Sequence, residues 1–186
     1  MVRSSRQGGK TNTKLHDDLS PLAQRMGRYM AEHCVDGLPG HFDDELLTAF
    51  PEEDRKSISL ALAELEAEGL VTLSHVIGPH LPRVRTTVDL FVACDAAITG
   101  QDPVEDSVVL ARMLIDNPRL GGHTRNLEQA VGWERRRFNP AFALVVPNVA
   151  EGRVRTSIQN EYPTMGVILA DEDIVQLRRY VQRHTR

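Results

Sequence analysis

Ser20-Pro21 and Asp102-Pro103 each open an amphipathic stretch, PLAQRMGRYMAEH in the first case and PVEDSVVLARMLIDN in the second. An internal repeat constrains a chain strongly, because each copy is one supersecondary unit whose apolar face must be covered in the same way. In both openings a residue that caps helices well precedes a proline at the first helical position, where the missing N–H has no intrahelical partner to lose. Each stretch is expected to be a first helix. A Gly/Pro-rich turn follows each, GLPG at 37–40 and NPRLGG at 117–122.

The two halves continue in parallel. Residues 43–50 and 126–132 read as short second helices. In the third helix of the first half, Ile58, Ala61, Leu62 and Leu65 share one face, with Gly69 as a left-handed stop. In the second half, Phe142, Val145, Val146 and Val149 repeat that spacing, Gly152 is the expected stop, and Pro147 is expected to kink or shorten the helix. Alternating segments come next, Leu70-Val71-Thr72-Leu73 with 84–88, and 154–158 with 166–169, so that a hairpin is expected after each set of three helices. Residues 89–98 and 171–182 read as a further helix in each half, the first connecting the halves, the second packing on its own unit or on another chain.

The reading is therefore of a mainly α protein with small β-hairpins, an α+β class. It divides into a basic arm over residues 1–19, a first unit over 20–100 and a second over 101–186. The arm, with Arg3, Arg6, Lys10 and Lys14 among Ser, Gly, Gln and Thr, has the composition of a segment disordered when free; Arg3 and Arg6 are candidates to track phosphates or lie in a minor groove, the alternative being a solubilising tail. No apolar run approaches the roughly 18 residues that cross a bilayer, and the arm lacks the apolar core of a secretory signal. A cytoplasmic, nucleoid-associated protein without membrane contact is expected. Cys34 and Cys94 lie in apolar segments and read as free buried thiols. His33, Cys34 and His41 do not amount to the four convergent ligands of a structural zinc site, and neither metal nor cofactor is expected. No nucleophile elbow, phosphate-binding glycine loop or HExxH helix occurs, so the chain does not read as an enzyme.

Three helices followed by a hairpin, with AELEAEGLVTL at 63–73 running from helix to strand, resemble the winged helix-turn-helix superfamily. The resemblance covers residues 20–90 and again 102–170. It implies a third helix that enters the major groove of duplex DNA and a hairpin that lies along the phosphates. In the second unit this places Arg135, Arg136, Arg137 and Asn139 at the reading end of the third helix, and Arg153 and Arg155 on the hairpin. In the first unit it places Arg55, Lys56, Ser57 and Ser59 on the helix, after an acidic start at Glu52-Glu53-Asp54, with His75, His80, Arg83 and Arg85 on the hairpin. Arginine can read guanine and asparagine adenine, whereas alternating strand arginines suit phosphates; the alternative for these same side chains is pairing with Glu128, Glu134 or cross-strand acids. Trp133, like Phe50, is expected to pack between second and third helices.

The net charge of −4 excludes a protein that coats nucleic acid by bulk charge. Residues 1–100 carry ten Lys/Arg and fifteen Asp/Glu, and residues 101–186 carry twelve and eleven, which makes the second half the better expected DNA reader. Three functions are open at this point. The first is a sequence-specific regulator of transcription. The second is a plasmid or phage replication initiator. The third is a protein-interaction subunit that does not touch DNA. Duplex DNA is the leading partner, with a homodimer or another protein as the alternative.

Overall fold

The computed structural model describes residues 18–74, 78, 80–156 and 161–185. Arg3, Arg6, Lys10, Lys14 and His75 lie outside these residues, as does the end of the second alternating segment. The first half contains α1 (Pro21–His33), β1 (His41–Phe42), α2 (Glu45–Ala49), α3 (Arg55–Ala67), β2 (Val71–Ser74), β3 (Arg83–Thr86) and α4 (Val88–Ile98). The second contains α5 (Pro103–Asp116), α6 (Thr124–Val131), α7 (Arg135–Val145), β4 (Val154–Arg155), β5 (Gly166–Val167) and α8 (Asp171–His184). The chain is mainly helical with two small antiparallel sheets, and three helices, a hairpin and a fourth helix follow one another in each half.

The capping signals act as the sequence implies. The Ser20 hydroxyl accepts from the Ala23 amide at 3.2 Å, and Asp102 accepts from the amides of Val104 at 2.7 Å and Glu105 at 3.4 Å. These bonds satisfy first-turn donors that no helix can satisfy internally. Asp54 caps α3 through the Ser57 amide at 2.7 Å, which starts that helix at Arg55, later than the acidic run suggests. Gly69 closes the segment with φ +73°, a conformation that favours glycine.

Strand β3 is central in the first sheet, in the order β1-β3-β2, with Phe42 opposite Val84 and Leu73 opposite Val84 on its other side. The two-residue β1 was not legible as a strand; it exists because β3 offers it an edge. In the second half a short 3-10 turn, Pro118–Gly122, occupies the corresponding place, and the sheet has only β4 and β5.

Buried apolar side chains form two clusters. Met26, Met30, Leu46, Ile58, Leu62, Leu65, Val84 and Phe91 belong to the first, Leu110, Leu114, Leu127, Phe138, Phe142, Val145 and Leu177 to the second. Phe50 is buried in the first, and Trp133 packs half-buried against the second. Helix α8 packs on its own unit: Ser107 and Tyr180 share a buried hydroxyl contact of 2.6 Å between α5 and α8. Both cysteines are buried and free, and burial pushes the Cys94 thiol up to about 12 and the Cys34 thiol up as well. No helix among the described residues is long and apolar enough to cross a membrane.

The third helix of the second half differs from its reading. Its apolar stripe is Phe138, Ala141, Phe142 and Val145, one turn earlier than expected, because Pro147 cannot extend the ladder and the chain tightens into a 3-10 turn over Val146–Asn148. Val149 is buried beyond the helix, and Gly152 sits inside a further 3-10 turn, Glu151–Arg153, where it stops no helix.

Candidate nucleic-acid interface

Helix α7 has a second buried stripe. Asn139 and Pro140 are buried on the side away from the apolar core, and Arg136, three and four residues before them, has a side chain only 16% exposed. Residues at this spacing share one helix face, and here the face meets the first half. Arg136 donates from Nη1 and Nη2 to the two carboxylate oxygens of Asp95, each at 2.6 Å, and from Nη2 to the Ala31 carbonyl at 3.3 Å. Its guanidinium lies 5.1 Å from the centroid of Phe91. Asn139 donates through Nδ2 to the carbonyls of Asp36 at 2.8 Å and Glu161 at 3.1 Å.

The remaining arginines of this helix also point inward or sideways. Arg137 makes a two-pronged contact with Asp106 at 2.6 and 2.7 Å and stacks 4.0 Å above the Trp133 ring. Arg135 reaches Glu128 at 3.5 Å and Glu161 at 3.4 Å and lies 5.2 Å from the Tyr162 ring. Arg135, Arg136, Arg137 and Asn139, expected to face a groove, do not stand together on one open face: Arg136, Arg137 and Asn139 hold the two halves and the helix in place, and Arg135 is half-buried among carboxylates. The sign was present in RRRFNPAFALV, since a helix with small and apolar residues on more than one face is buried on more than one side.

The hairpin arginines of the second half are likewise engaged. Arg153 lies before β4 and binds Asp173 at 2.7 Å and Glu172 at 3.5 Å; Arg155 is exposed and donates to the Gly122 carbonyl at 3.1 Å. They do not form the expected alternating pair on one strand. Burial alone would push Asp173 up, but the amides of Ala170 and Ala150 together with Arg153 outweigh it and hold its carboxyl below the usual range.

In the first half the arrangement is open. The acidic start of α3 is absorbed: Arg25 of α1 pairs with Glu53 at 2.6 Å and Glu52 at 3.3 Å, while Asp54 is spent on the cap. Beyond it Arg55 and Lys56 are exposed, with Ser57 and Ser59 half-buried beside them. Asp44, just before α2, accepts from the Leu81 amide at 2.8 Å, contacts His80 Nδ1 at 2.6 Å and lies 3.7 Å from Arg55. One carboxylate thus fixes the returning end of the hairpin beside the start of α3. Its hydrogen bonds to His80 and the Leu81 amide hold its carboxyl below the usual range.

Strand β3 turns Val84 and Thr86 inward and Arg83 and Arg85 outward. Neither outward guanidinium has a carboxylate partner among the described residues. The first half therefore carries Arg55 and Lys56, with Ser57 and Ser59, at the start of α3, and Arg83 and Arg85 on the outward face of β3. No family model matches this chain, and no curated protein or solved structure matches it significantly.

Proposed function

We propose that this protein binds duplex DNA through its first half, with α3 as the reading helix and the β2–β3 hairpin as the phosphate contact, and regulates transcription as a non-catalytic protein. The observation that carries the reading is the pair of outward arginines on β3, which have no carboxylate partner among the described residues, together with the exposed cationic start of α3. The order helix, strand, helix, helix, strand, strand with β3 central supports assigning this half to the winged helix-turn-helix class. On the same reading the second half is a partly altered copy whose third helix serves as a brace.

The test is a mobility-shift titration on arbitrary duplex across about 50 to 200 mM salt, comparing the protein with the triple variant Lys56→Ala, Arg83→Ala, Arg85→Ala. Each lost phosphate contact lowers the slope of log affinity against log salt by about 0.9. A slope shallower by up to about 3 in a folded triple variant is expected. Absence of any duplex binding at the lowest salt would overturn the reading.

One observation favours a second reading, docking on a protein. Leu60, on the outward side of α3, is 63% exposed and would rest on a partner's apolar surface. Leu60→Asp would abolish partner capture under that reading and repel the duplex under the first; Leu60→Ala would weaken only the protein contact.

A further inference from the structure

We infer that the groove between the two halves is a binding site for a small zwitterion with an apolar body, of the kind represented by a free apolar α-amino acid. The groove encloses about 590 Å³ and takes its walls from both halves: the 34–39 turn, His41 and β3 on one side, Ala143 of α7 and the Tyr162-Pro163 segment on the other. Clefts at such boundaries with volumes of roughly 300–1,000 Å³ are where small ligands are commonly held.

Its chemistry selects the ligand. Asp36 and Arg85 both line the groove, and neither side chain has a charged partner among the described residues, nor do they pair with each other. An oppositely charged pair held apart in one groove is complementary to a molecule that carries both charges, an ammonium for Asp36 and a carboxylate for Arg85. Between them Val35, Leu38, Pro39, Val88 and Pro163 supply apolar wall, and Val35 is 73% exposed, a cost a bound aliphatic or aromatic side chain would remove.

A second observation lies under the same wall. The Oδ1 atom of Asn139 is buried with no hydrogen-bond partner among the described residues, although Nδ2 of the same amide donates to the backbone carbonyls of Asp36, which lines the groove, and of Glu161, which precedes Tyr162 in the chain. With Nδ2 committed to two carbonyls the amide cannot be reversed, so an acceptor is left unsatisfied beside the groove. An orphaned buried acceptor is costly; it lies behind the groove wall, which the Nδ2 bond to the Asp36 carbonyl holds in place.

Calorimetric titration of the full chain with L-leucine and L-phenylalanine tests the site, alongside leucinamide, which lacks the carboxylate, and N-acetyl-leucine, which lacks the ammonium. Saturable binding of the free amino acids is expected, weakened about tenfold or more in each blocked form, the loss that follows from removing a charged hydrogen bond. Asp36→Asn keeps the backbone carbonyl that Asn139 needs and is expected to weaken leucine and leucinamide, whose ammonium it no longer meets as a carboxylate, while leaving N-acetyl-leucine nearly unchanged. No saturable binding, or equal binding of free and blocked forms, would overturn the assignment. Circular dichroism and the melting temperature of the same Asp36→Asn sample report folding independently.

Discussion

Arg136 and Asp95, 41 residues apart in the chain, meet as a two-pronged ion pair that joins the third helix of the second half to the last helix of the first. With side chains only 16% and 4% exposed, neither charge has water to fall back on. Breaking a buried pair from one side strands the other charge and costs about 3–5 kcal/mol, whereas replacing both partners with apolar groups is often nearly neutral. Asp95→Ala is expected to cost that amount in urea unfolding, and Asp95→Leu with Arg136→Met far less. Equal losses for the single and double variants would contradict the pairing.

Gly37 sits against the same helix. It has φ +67°, and a Cβ there would come within 2.7 Å of both the Arg136 carbonyl oxygen and Pro140 Cδ. The close approach falls where the helix has lost a bond, since Pro140 has no N–H to offer the carbonyl four residues back. Gly37→Ala is expected to cost more than the roughly 1–2 kcal/mol of a left-handed alanine. Gly69→Ala, at φ +73° with nothing within 4 Å, is the control that shows the backbone cost alone. Equal melting shifts for the two would mean that the halves do not touch at Gly37.

Asp173 predicts an acid limb. Its carboxyl is held below the usual range by two amides and Arg153. A group whose pKa is depressed on folding contributes stability that is present above its unfolded value, about 3.9, and is lost as pH falls through the folded value. Stability curves of the protein and Asp173→Asn are expected to stand apart at neutral pH and to converge below about pH 4. A gap that stays constant through that range would refute the assignment.

Cys94, pushed up to about 12 by burial, and Cys34, raised for the same reason, carry almost no thiolate at neutral pH. Titration with a chromogenic disulfide reagent near pH 8 is expected to release little colour from the native chain and the full amount from both thiols in denaturant. Rapid release from native protein would show that the first core is open.

The fold was legible wherever a local rule coincided with the period of the helix. Ser20-Pro21 and Asp102-Pro103 started helices; Ile58, Ala61, Leu62 and Leu65 marked a buried face; and Gly69 ended the element, each for a reason contained within a few residues. The candidate site was half legible. Arg83 and Arg85 were identifiable from strand alternation, but the weight placed on Arg135, Arg136 and Arg137 followed from the count of charges, and a count does not register which carboxylates stand opposite.

What the chain determined by itself was the order of elements and their caps, because hydrogen bonds to the first turn and the 3.6-residue period act over short separations. Only the tertiary structure decided which cations remained available. Asp95 and Asp106 come to Arg136 and Arg137 from other helices, Asp173 comes to Arg153 from the last helix, and among the described residues no such acid comes to the outward face of β3. The physical reason is that a guanidinium is satisfied by whatever carboxylate packing brings within about 3 Å, and that neighbour is set by how helices cross, not by sequence proximity.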